Sequence, residues 1–124
     1  MIVGSIKENI SLEKRVSITP ESAKNIINLG IKVQLEKGYA EHLGISDNLY
    51  KDTGVQIKNS SKEIIENSNL LLKVECPNDE QINLIKSNLI LVGILNPSKN
   101  ESKLKALLKK ETKIFSLELL PRIT

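Results

Sequence analysis

Arg15, Lys73 and Arg122 are the side chains of this sequence best suited to gripping an anion. Arg15 and Arg122 are its only arginines, and a guanidinium offers a planar fork that matches a carboxylate or phosphate. Lys73 stands in the otherwise apolar run Leu70-Leu71-Leu72-Lys73-Val74. An ammonium buried alone is too costly, so Lys73 must leave the core at a strand end, pair with a buried acid, or face a ligand cleft. Charge placement alone leaves blander roles open. Lys73 reads equally well as an exposed strand-end lysine, Arg15 as a solvated loop residue near Glu13, and Arg122 as a surface charge near the C-terminus.

Other chemistries find little support. His42 is the only histidine, in a loop between Gly38 and Gly44, so no second imidazole can join it at a metal, and a local hydrogen-bonding role is expected for it. Ser5, Ser17 and Ser98 have no histidine placed as base, and Cys76 has no recognisable activating partner. Glu63, Glu66, Asp79 and Glu80 fall at expected helix starts, where they complement the helix dipole rather than forming an acid/base pair. No Gly-x-Gly-x-x-Gly and no phosphate loop of the P-loop kind occurs. No catalytic residue and no metal ligand set is therefore expected.

Composition narrows the class further. A chain of 124 residues fits one domain spanning 1–124, and 18 Lys+Arg against 15 Asp+Glu leave a mild excess of +3. Nucleic-acid binding is not expected, because the aromatics are only Tyr39, Tyr50 and Phe115 and acids are interspersed with the lysines. The lone cysteine excludes an internal disulfide and fits a reducing, cytoplasmic compartment. No segment reaches the ~20 apolar residues of a membrane span, and the N-terminus lacks a signal-peptide pattern, so a soluble chain without direct membrane insertion is expected.

The elements that must position these residues alternate strand and helix. Strands are expected at Ile2 to Ile6, Ile31 to Glu36, Val55 to Ile57, Leu70 to Val74, Leu89 to Leu95 and Thr112 to Leu119. Helices are expected after Thr19-Pro20, ending at Gly30, briefly over Asp47 to Asp52, after Ser60 with Glu63 as a capping box, after Asn78 or Asp79, and after Asn100. This order predicts a three-layer α/β domain, a mostly parallel flavodoxin-like sheet with helices on both faces. Ligands of such sheets bind outside the carboxyl ends of the strands, where Arg15, Lys73 and Arg122 all fall.

The sequence resembles a known family. Ile2-Val3-Gly4-Ser5-Ile6-Lys7-Glu8 followed by Glu13-Lys14-Arg15-Val16-Ser17-Ile18-Thr19-Pro20-Glu21 is similar to the opening of the N-terminal domain of the alanine dehydrogenase and pyridine nucleotide transhydrogenase family. Glu36-Lys37-Gly38-Tyr39-Ala40, Gly44-Ile45-Ser46-Asp47, Leu72-Lys73-Val74 and Asn96-Pro97-Ser98-Lys99-Asn100 resemble its later motifs in order, and the likeness runs along essentially the full chain. Leu117-Glu118-Leu119-Leu120-Pro121-Arg122-Ile123-Thr124 looks like the transhydrogenase alpha-subunit branch. The resemblance implies that Arg15 and Lys73 match the pair gripping the substrate carboxylate in alanine dehydrogenases. Asn96 matches the position of their acid/base histidine, and an asparagine cannot exchange a proton near neutral pH. Arg122 matches an arginine close to bound NAD(H) in transhydrogenases.

For the complete enzyme the resemblance implies hydride transfer from NADH to NADP, coupled through other subunits or domains to proton movement across a membrane. Its partners would be a Rossmann domain and membrane and NADP-binding parts, with a homodimer in the whole assembly and a peripheral place at the inner membrane through those partners. The Rossmann domain that follows in the family is not in these 124 residues, so the expectation for this chain alone is no bound cofactor and no activity. Two other readings stay open: a fragment of an alanine dehydrogenase-like subunit, and a non-catalytic flavodoxin-like module that binds a protein partner.

Overall fold

The computed structural model describes residues 1–119. Six strands, β1 (Ile2–Ser5), β2 (Lys32–Glu36), β3 (Gln56–Lys58), β4 (Leu70–Leu72), β5 (Ile90–Gly93) and β6 (Lys113–Ser116), form one sheet in the order β3-β2-β1-β4-β5-β6. Every neighbouring pair is parallel. The helices are α1 (Pro20–Asn28), α2 (Asp47–Lys51), α3 (Ser61–Asn67), α4 (Asp79–Leu84) and α5 (Glu101–Lys109), with short 3₁₀ turns at Glu41–Leu43 and Leu117–Leu119. The three-layer, parallel α/β architecture expected from the alternation is the one observed. Its winding reverses between β1 and β4, which puts a crevice at the carboxyl ends of those two strands.

Period-two alternation divides the core between the two faces. Val3, Val33 and Leu35 join Ala23 of α1 and Tyr50 of α2 in one cluster. Ile6, Leu71 and Leu91 join Ile64 and Ile65 of α3, Ile82 of α4 and Leu107 of α5 in the other. Two glycines are required by close approach: a Cβ on Gly4 would strike Ser68 Oγ and Ile64, and one on Gly93 would strike the backbone carbonyl of Lys73.

Local chemistry sets the helix ends. Thr19 caps α1 in a reciprocal capping box with Ser22, Pro20 fills the first turn, and Gly30 takes a left-handed φ of +86° just past the end. Asn78 and Gln81 form the same box on α4. Ser60 Oγ accepts from Glu63 N on α3, which is half of the box expected there. Lys110 reaches from the end of α5 to the end of α4, where its ammonium donates to the carbonyls of Ile82, Asn83 and Ile85.

The structure differs from the sequence expectation in detail. The strand expected over Leu70 to Val74 is regular only to Leu72, although Lys73 N–H still donates to Val92 O and Val74 O accepts from Ile94 N–H, and the one expected over Thr112 to Leu119 stops at Ser116, where the chain tightens into a 3₁₀ turn. Asn100 stands at the N-cap of α5 but does not cap it with its side chain; its Nδ2 donates back to the carbonyls of Leu95 and Asn96. A Gly93→Ala substitution is expected to lower stability by about 1–3 kcal/mol, the usual cost of overpacking, because its obstacle is backbone rather than a movable side chain. A urea denaturation midpoint equal to that of the unsubstituted chain would contradict this.

Candidate functional site

The crevice at the carboxyl edge of the sheet opens into a cleft of about 410 Å³. Its wall includes Lys73 and Asn96, together with Lys7, Asn78, Lys99 and Lys103. Lys73 follows β4 immediately and is 5% exposed, and its Nζ donates to Glu8 Oε1 at 2.9 Å. Glu8 lies just beyond β1 and is equally buried. Its Oε2 accepts from Val74 N at 2.9 Å and its Oε1 also accepts from Glu75 N at 3.0 Å. Of the roles open to Lys73 in the sequence, the pairing with a buried acid is therefore realised, at the rim of a cleft.

Arg15 is also engaged by the chain's own carboxylate. Its Nε and Nη2 donate to Glu13 Oε2 and Oε1 at 2.9 and 2.8 Å, and its backbone N–H donates to the same Oε2 at 2.8 Å. The guanidinium holds the Glu13 carboxyl well below its ordinary value of 4.5, at about 2. Arg15 is exposed and is not part of the cleft wall that carries Lys73 and Asn96. Asn96 is exposed with φ +47°, a left-handed conformation that asparagine tolerates better than most residues. Its N–H donates to Glu118 Oε2 at 3.1 Å, and its Oδ1 accepts from Ser98 Oγ at 3.4 Å. Arg122 lies outside the described residues.

Residues to which the sequence assigned no positioning role hold the loop between β1 and α1 in place. Ser5 Oγ donates to Leu72 O at 2.6 Å, so the 2.8 Å contact between Ser5 and Tyr39 is filled by the phenol proton of Tyr39. The Tyr39 oxygen in turn accepts from the N–H groups of Ser17 and Ile18 at 3.0 and 3.2 Å. Tyr50 packs edge-on against Tyr39 and donates its hydroxyl to Ile18 O at 2.7 Å. Burial raises the pKa of both phenols, so they remain hydroxyls. The only histidine, His42, has its Nε2 2.7 Å from Lys14 O and lies outside the main cleft. Burial likewise raises the pKa of the Cys76 thiol, which keeps it protonated in the cleft wall.

The crevice between β1 and β4 is where doubly wound sheets usually receive a nucleotide's phosphates, on free backbone N–H groups of a glycine turn opening a helix. Here the loop after β1 has no such turn, and the N–H groups of Val74 and Glu75 are taken by Glu8. Among the described residues the cradle of free N–H groups that holds a dinucleotide's phosphates in such sheets is not formed.

Comparison with known proteins agrees with the sequence resemblance. Residues 4–124 match the model for the N-terminal domain of alanine dehydrogenase/PNT. The chain belongs to that family. It is 34% identical over 129 residues to the first part of NAD(P) transhydrogenase subunit alpha from Rickettsia prowazekii, a match covering all of this chain and 33% of that protein. It is 32% identical over 111 residues to alanine dehydrogenase of Methanococcus maripaludis, covering 90% of this chain and 30% of that one. Among solved structures, the transhydrogenase from Sinorhizobium meliloti superposes with a TM-score of 0.92 at 30% identity, over the whole of this chain and 37% of the other. The chain thus spans about a third of the length of these relatives. Among the described residues no helix is long and apolar enough to cross a membrane.

The pairing of Glu13 with Arg15 has a measurable consequence. Because the folded carboxyl is depressed, its contribution to stability is complete above about pH 4.5 and is lost as pH falls towards 2. Carbon-detected NMR should find Glu13 titrating near pH 2, and Arg15→Gln should return it towards its ordinary value. A Glu13 titration unmoved by that substitution would refute the pairing.

Proposed function

We propose that this chain is the N-terminal portion of the alpha subunit of a proton-translocating NAD(P) transhydrogenase. The observation that carries the reading is the 34% identity, over the chain's full length, to the transhydrogenase alpha-subunit protein of Rickettsia prowazekii. Asn96 supports it over the alanine dehydrogenase alternative. The cleft carries an amide at the position where, by family resemblance, those enzymes place their acid/base histidine, while the chain's only histidine is bonded to a loop carbonyl elsewhere.

In this reading residues 1–124 act as one domain, and NAD(H) is held mainly by a Rossmann domain outside them. Hydride passes from NADH to NADP in the complete enzyme, coupled by membrane and NADP-binding parts to proton translocation. The assembled enzyme is a homodimer, and this chain sits on its cytoplasmic side, at the inner membrane through its partners. Arg122 orients NAD(H) at the junction with the Rossmann domain rather than acting as acid or base. Arg15 and Lys73 are scaffold: each spends its charge on an internal carboxylate, Glu13 and Glu8.

Calorimetry of NADH binding tests the reading. The isolated chain should give no micromolar binding. A chimera in which it replaces the matching N-terminal third of the Rickettsia prowazekii protein should bind NADH. Micromolar binding by the chain alone, or a folded chimera that binds none, would overturn it.

A further inference from the structure

One wall of the cleft rests on a helix that cannot stand by itself. α4 has six residues, well short of the ~12–15 at which an isolated helix becomes marginal in water, so its place depends on what it touches. Its apolar anchors, Ile82 and Ile85, are each 3% exposed and lie towards its C-terminal end. The first turn has no such anchor. Asp79 and Glu80 are exposed there, while Asn78 and Gln81 line the cleft beside Cys76.

A helix leaves its last carbonyls without partners of its own, and in α4 they meet a single group. Lys110 Nζ donates to Ile82 O at 2.7 Å and to Asn83 O and Ile85 O at 3.1 Å, which uses all three donors of the ammonium. Its charge also complements the negative end of the α4 dipole. Among the described residues Lys110 enters none of the ion pairs, so the whole of its hydrogen-bonding capacity goes to this helix end. Its stem starts from a fixed point. Lys110 is the C-cap of α5, its N–H donates to Leu107 O, and Leu107 is fully buried.

The first turn of α4 is therefore held from its far end. At a rise of 1.5 Å per residue the helix is about 9 Å long, so a rotation of about 10° at the lysine moves the cleft end by roughly 1.5 Å. We propose that Lys110 is a positioning residue for the cleft: by latching the C-terminal end of α4 to the end of α5, it fixes the wall that carries Asn78 and Gln81. This role is internal to the chain and does not depend on which larger enzyme carries it.

Nitrogen-15 relaxation of the backbone amides tests it, since order parameters of the folded state do not follow overall stability. In the unsubstituted chain the N–H groups of Gln81, Ile82 and Ile85 should match that of Ala23 in α1, at about 0.85, the usual value for rigid backbone. In Lys110→Met the three α4 values should fall below about 0.6, with Ala23 unchanged. Lys110→Arg, which keeps the charge and the donors, should restore them, and Lys110→Gln takes the place of the methionine variant if that one does not fold. A folded variant with a lower urea midpoint but unchanged α4 order parameters would show that the lysine only adds stability, and overturns the proposal. A fall confined to Ile85 leaves the cleft wall in place and overturns it as well. So does a Lys110 ammonium in the unsubstituted chain that shows no exchange-protected nitrogen-15 signal.

Discussion

The buried pair of Glu8 and Lys73 is the constraint on which the carboxyl edge of this sheet depends. The strands it joins are neighbours in the sheet but their pairing residues are 65 positions apart in sequence, so it closes the fold where the winding reverses. Neither charge could remain there alone, since an uncompensated buried ion destabilises a fold by several kcal/mol. The Glu8 carboxylate is satisfied three times over, by the ammonium and by two backbone N–H groups at the end of β4. One donor of Lys73 and the N–H groups of Val74 and Glu75 are thereby taken up by a residue of the chain at the edge of the cleft.

The loop between β1 and α1 is fixed from its other end by a second polar cluster. Tyr39 takes the N–H groups of Ser17 and Ile18, and Tyr50 donates to the Ile18 carbonyl, so both backbone groups of one residue are held by phenols at the base of the loop. Ser5 passes the chain of hydrogen bonds on to Leu72. The loop bearing Glu8, Glu13 and Arg15 is thus tied to β1 and β4 at one end and to the start of α1 at the other.

Much of this was legible in the sequence because it is local. Thr19, Pro20 and Gly30 mark α1 through capping and backbone geometry that involve only near neighbours, and Glu13 sits two residues from the arginine it grips. The physics of burying a lysine limited Lys73 to a few roles, but its partner could not be read, because Glu8 is brought to it only by the parallel pairing of β1 and β4. Tyr39 was missed for the same reason: nothing in Lys37-Gly38-Tyr39-Ala40 announces a phenol that closes a loop more than twenty residues earlier. Asn100 looked like a cap, yet its amide bonds backwards to Leu95 and Asn96. Asn96 carries a backbone role, because its left-handed conformation suits asparagine.

We propose that Lys73, bonded to Glu8, takes no carboxylate ligand in the cleft. Nitrogen-15 NMR of the Lys73 ammonium during a pyruvate titration tests this most directly. The account predicts a proton-exchange-protected ammonium signal that pyruvate does not move and that Glu8→Gln does. A Lys73 signal that shifts saturably as pyruvate is added would contradict it.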